Sequence, residues 1–150
     1  MSLEKCLGSI HQRKMYLFAQ YAVMSGNVEA VQLLLGAGVS LDLLSKSHRT
    51  PLTQALQCGF KGTQVKENYS AIVTMLVSTG ADVNLRTVEA CNPLLTATLL
   101  KSQVMVNYFL SLGAFPNVKC ELNFGQLFLY RSVNCICMIC CVYITKKNKS

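Results

Sequence analysis

The chain has 150 residues and a mass of 16.5 kDa, the size of one domain able to bury a core without disulfides. Its 51% apolar content excludes intrinsic disorder, while the 14% charged share is low for a freely soluble surface. The net charge is +7, but Arg131, Lys146, Lys147 and Lys149 lie in a tail without acids, and the remaining +3 forms no stripe of basic and aromatic residues, so nucleic acid is not the expected partner.

The chain opens with Glu4 among its first residues, and no apolar run of secretory length follows. A secretory signal is therefore not expected. The eight cysteines then read as reduced thiols of a cytoplasmic or nuclear protein, with Cys6, Cys58, Cys91 and Cys120 scattered singly and four more at positions 135 to 141. Residues 1–13 form a lead-in.

From residue 14 the sequence repeats itself. Ala22 through Gly26, Val31, Leu33, Leu34, Leu35 and Gly38 recur as Ala55, Gly59, Val73, Met75, Leu76, Val77 and Gly80, and again from Ala97 through Val106, Phe109, Leu110 and Gly113. Gly38, Gly80 and Gly113 are spaced by 42 and 33, and Thr50-Pro51-Leu52 and Asn92-Pro93-Leu94 are also 42 apart, so the unit is 33 residues with nine inserted once. The units are 14–46, 47–88, 89–121 and a partial 122–130. The insertion falls at 61–69, Lys-Gly-Thr-Gln-Val-Lys-Glu-Asn-Tyr, which reads as polar loop.

Each unit reads as a helix pair, an all-α pattern. Thr50 and Asn92 are good N-caps, with Pro51 and Pro93 at the first helical position where a missing N–H costs nothing. The first helix of each unit is expected to be short, ending near Gly26 or Gly59. The second carries an apolar stripe, Val28, Val31, Leu34 and Leu35 in the first unit, that buries one face. Gly38, Gly80 and Gly113 supply the left-handed residue that stops it.

These residues resemble the ankyrin repeat family. Its pattern of Thr-Pro-Leu-His-x-Ala, a following Gly, a Val-x-x-Leu-Leu helix and Gly-Ala-Asp-x-Asn is matched by Thr50-Pro51-Leu52-Thr53-Gln54-Ala55, Gly59, Leu76 and Gly80-Ala81-Asp82-Val83-Asn84. The resemblance spans roughly residues 14 to 130 and implies a solenoid of helix-turn-helix repeats joined by hairpin-like loops, working as a protein-interaction module, adaptor or scaffold. The motif His is replaced by Gln20, Thr53 and Leu95, so the bonds the resemblance implies from that His to neighbouring hairpins are expected to be weakened or lost. Lys101 stands at the Gly59 position of the third unit, and a degenerate, marginally stable stack is expected.

In such a stack the resemblance places partner contacts on loop tips and inner helices. Carried onto this chain, the tips are Ser45, Lys46, Ser47, His48 and Arg49, then Thr87, Val88 and Glu89, then Cys120, Glu121 and Leu122. The first is basic and suits an acidic protein partner. Lys61, Lys66 and Tyr69 of the insertion widen that surface.

Residues 131–150 break the pattern, with eleven of the twelve residues from Val133 to Ile144 apolar and a Lys-rich end. Four readings compete: a fourth unit's second helix, the end of a truncated or alternatively terminated product of a longer protein, a membrane anchor or acylation site over residues 127–145, and a thiolate metal site at Cys135, Cys137, Cys140 and Cys141. The last is disfavoured because those cysteines lack the paired, loop-separated spacing of structural zinc sites. No cofactor is expected, and an enzyme is disfavoured. Asp42, Asp82 and five Glu are the only carboxylates, Asp82 sits where it would bond local backbone, and there is neither a phosphate loop nor a pair of His ligands.

Overall fold

The computed structural model describes residues 3–46, 49–61, 64–85 and 92–115. Three helix pairs follow one another: α1 (Leu3–Ser25) with α2 (Val28–Gly36), α3 (Pro51–Gly59) with α4 (Glu67–Ser78), and α5 (Pro93–Leu99) with α6 (Gln103–Ser111). A short antiparallel hairpin, β1 (Phe60–Lys61) and β2 (Gln64–Val65), interrupts the second pair.

The starts and stops follow from local chemistry. The Thr50 side chain accepts from the Thr53 N–H while the Thr53 hydroxyl oxygen accepts from the Thr50 N–H, so two otherwise orphaned backbone donors are each satisfied by the other residue's side chain. Asn92 Oδ1 accepts from the Leu95 N–H at 2.7 Å, and Asn27 caps α2 in the same way. At the other ends Gly38, Gly80 and Gly113 hold φ of 77°, 108° and 81°, the left-handed region that closes a helix without steric cost to glycine. The N–H after each of them turns back to a carbonyl five residues earlier, Val39 to Leu34, Ala81 to Leu76 and Ala114 to Phe109. The first turn of unit one and that of unit three close similarly through Gly26 and Lys101, the latter a non-glycine residue at φ 56°.

α3 packs between α1 and α5, and α4 packs on α2, giving an inner layer of first helices and an outer layer of second helices, with α6 against α5. The apolar core runs between the layers through Val23, Val31, Leu52, Leu56, Ile72, Leu76, Ala97 and Phe109. Leu52 and Leu56 are fully buried in the central unit, each contributing roughly 1.5–3 kcal/mol. This is the all-α repeat stack that the spacing predicts.

Three local expectations are corrected. The first helix of unit one is not short: α1 runs 23 residues through the lead-in, because Leu17 and Phe18 stand where the other units carry a cap and a proline, and nothing starts a helix there. The inserted stretch is not plain loop; it forms the hairpin and the first turn of α4, anchored by Phe60, which is fully buried, and by Tyr69. Gln20 also keeps the tie to the following loop that the lost motif His was expected to forfeit, since its Nε2 donates to the Arg49 carbonyl at 3.2 Å.

Candidate functional site

The first loop tip is built around one carbonyl. Arg49 O accepts from the Ser45 N–H at 3.0 Å, from the Tyr16 hydroxyl at 3.0 Å and from Gln20 Nε2. Gln20 Nε2 also donates to the Tyr16 oxygen, and the Arg49 N–H returns to Ser45 Oγ at 3.2 Å. Tyr16 and Gln20 are one helical turn apart on the buried face of α1, so the helix presents both groups to the loop together. Burial raises the Tyr16 hydroxyl above the usual tyrosine range, partly offset by the bond from Gln20. The turn is thereby held to the inner helix while Lys46 remains exposed at its tip. Arg49 is half-buried, and its Nε is buried without a hydrogen-bond partner among the described residues.

The segment after α4, ahead of the second tip, ties adjacent units together. Asp82 Oδ1 accepts from the Asn84 N–H at 2.8 Å, the local backbone bond expected of it, and Asn84 Oδ1 accepts from the Phe115 N–H at 2.9 Å. Thr87, Val88 and Glu89, Ser47 and His48, and Cys120, Glu121 and Leu122 lie outside the described residues, as does the whole tail from 131 to 150.

The inserted residues divide. Lys66 is exposed at the start of α4, and Lys61 lies in β1, its side chain outside the description. Tyr69 is a correction: at 7% exposure it is not a contact for a partner but a structural post. Its hydroxyl donates to the Met24 carbonyl at 2.7 Å, and Lys66 Nζ sits 5.8 Å from its ring centroid. Burial raises its hydroxyl above the ordinary range, with further upward contributions from the neighbouring Cys58 thiol through charge and hydrogen bonding. Cys58 is a free thiol, half-buried, and accepts from Gln54 Nε2 at 3.3 Å.

The structure thus joins Ser45 with Arg49 and Lys66 with Tyr69 and leaves Lys46 and Lys66 free to meet solvent. The sequence reading did not single out Tyr16, whose role needed only one signal: an apolar-faced helix carrying a hydroxyl four residues before Gln20, on the same side. Nor did it find the outer face of α1, where Leu17, Phe18, Tyr21 and Met24 are exposed. Among the described residues no cluster of three or more His, Cys, Asp and Glu could hold a metal ion, and no helix is long and apolar enough to cross a membrane.

Compared with protein families, residues 19–120 match the one described as ankyrin repeats, in three copies. Compared with curated proteins, the chain shows no match.

Proposed function

Because the chain belongs to the ankyrin repeat family, whose repeats generally mediate protein–protein interaction, we propose that it is a non-enzymatic adaptor or scaffold that takes an acidic protein partner on its first loop tip. The observation that carries this reading is the Arg49 carbonyl, which accepts three donors and so holds Arg49 and Ser45 on either side of exposed Lys46. With Ser45 and Arg49 held, the backbone beside Lys46 has less conformational freedom to lose on binding. Lys66, exposed at the start of α4, adds a further cation. The single, scattered placement of Cys6, Cys58, Cys91 and Cys120 in the sequence supports residence in a reducing compartment, the cytoplasm or nucleus.

Affinity capture from cells with the wild-type chain and with Lys46→Glu/Lys66→Glu tests the surface. Reversing exposed charges leaves the fold intact and is expected to abolish recovery of the partners held by the wild type. Equal recovery by both chains would move the binding surface elsewhere.

A further inference from the structure

The outer face of α1 is apolar in a register that the stack does not use. Ile10, Leu17, Tyr21 and Met24 are 52%, 50%, 68% and 52% exposed, and with Lys14 they follow the alternating four- and three-residue spacing of a coiled-coil seam. Leu3 and Leu7 hold the two preceding positions of the same register. Tyr16, Ala19 and Val23 are buried on the opposite side, so α1 has one face in the core and a second without a neighbour among the described residues.

Comparison between units shows what kind of element covers such a face. By repeat register Leu17, Phe18 and Tyr21 correspond to Thr50, Pro51 and Gln54, and to Asn92, Pro93 and Thr96. All six of the latter are buried, in units where α3 packs on α1 and α5 packs on α3. A preceding helix is therefore what this position accommodates in the other units, and in unit one the same positions carry large apolar side chains open to solvent.

Charge selects the occupant. The polar position within the seam is Lys14, flanked by His11 and Arg13, with Lys5 further along; all four are exposed, and Glu4 is the one acid in the sequence of α1. A second copy would bring this basic set onto itself. The chain's own apolar segment 133–144 is followed by Lys146, Lys147 and Lys149 and is basic as well. We infer that the outer face of α1 docks an amphipathic helix of an acidic partner protein, with apolar residues on the seam and a carboxylate opposite Lys14. The surface is separate from the Lys46 tip, and the inference stands independently of it.

The test uses the purified full chain and a labelled helical peptide about three heptads long, apolar at the seam, with one Glu within it and Glu on its flanks; a second peptide carries Lys at those positions. The acidic peptide is expected to bind, with affinity that falls as salt rises, and the Lys peptide is not. Tyr21→Glu and Lys14→Glu, both at exposed positions, are each expected to weaken the acidic peptide by roughly tenfold or more, and Lys14→Glu to gain binding of the Lys peptide. Equal binding of the two peptides, or indifference to Lys14→Glu, overturns the inference. So does a chain that sediments as a dimer and is made monomeric by Tyr21→Glu, which assigns the face to a second copy. Binding of the acidic peptide only after Ile136→Glu/Ile139→Glu assigns it instead to the chain's own tail and likewise overturns the inference.

Discussion

Tyr69 lies directly over Gly59: a Cβ placed on Gly59 would fall 2.2 Å from the Tyr69 Cβ. The same ring stands 3.2 Å from where a Cβ of Gly26 would be, and its hydroxyl reaches the Met24 carbonyl. One side chain from the insertion thus closes over the ends of α1 and α3. The two glycines serve this contact differently, since Gly26 also needs its left-handed φ of 68° whereas Gly59 is helical and needs only the absence of a side chain.

Gly59→Ala is the direct probe. In an open helical position the change would stabilise by roughly 0.5–1 kcal/mol through propensity. At 2.2 Å from Tyr69 the overlap dominates, and a net destabilisation of about 1–3 kcal/mol is expected in urea unfolding. Combining it with Tyr69→Gly, which removes the Cβ at 2.2 Å along with the ring, should recover part of that loss relative to the sum of the single changes, because the space is then empty. Additive effects would mean the two residues do not touch.

Tyr16→Phe removes the hydroxyl that donates to the Arg49 carbonyl and leaves the ring in place. The expected cost is about 1 kcal/mol, the usual worth of one hydrogen bond in a partly buried site. The more specific readout is hydrogen exchange: the Ser45 N–H, bonded to the same carbonyl, should exchange faster, while amides of α4 keep their protection. Uniform acceleration across the chain would show global destabilisation without a local role for Tyr16.

Most of the stack is legible in the sequence because its punctuation is local. Thr50-Pro51 and Asn92-Pro93 start helices by satisfying their own backbone, and Gly38, Gly80 and Gly113 stop them by conformation alone, so neither depends on distant residues. Tyr69 was not legible in the same way. It ends a polar nine-residue run, and only the Met24 carbonyl, 45 residues away, and the bare surfaces of Gly26 and Gly59 make it a buried post. Gln20 carries a similar lesson: the absent motif His suggested a lost bond, but a longer amide side chain reaches the Arg49 carbonyl from the same helix face. Of the candidate surface, the charges at Lys46 and Lys66 are sequence facts. The order of the turn that carries Lys46, by contrast, depends on Tyr16, a residue with no motif attached.

Lys101 occupies a position where the first unit has Gly26, with φ of 56° against 68°. A side chain in that conformation costs roughly 1–2 kcal/mol, offset in part by the greater freedom glycine loses on folding. Lys101→Gly is therefore expected to raise stability by about 0.5–1 kcal/mol, seen as a higher melting temperature. Gly80→Val, at φ 108° in open space, should do the reverse through backbone strain alone. A Lys101→Gly chain that melts lower than wild type would contradict the left-handed turn at that residue.

The two raised tyrosines predict the alkaline limb of stability. Burial is the first cause for both Tyr16 and Tyr69, disfavouring the phenolate in the folded chain, so between the unfolded value near about 10 and the higher folded value the native state holds protons that the unfolded state has released. Unfolding is then favoured as pH rises: these groups' stabilisation is fully present below pH of about 10 and is lost as pH climbs through the folded values. Lysines titrate in the same range, so the comparison is between chains: Tyr69→Phe, which keeps the ring over Gly59 but has no proton to lose, should be less stable than wild type at neutral pH through the missing bond to Met24 and should show a shallower decline in alkali. Urea unfolding of both chains at neutral pH and at several alkaline values measures the two slopes, and parallel declines would mean that the Tyr69 hydroxyl is not buried in the folded protein.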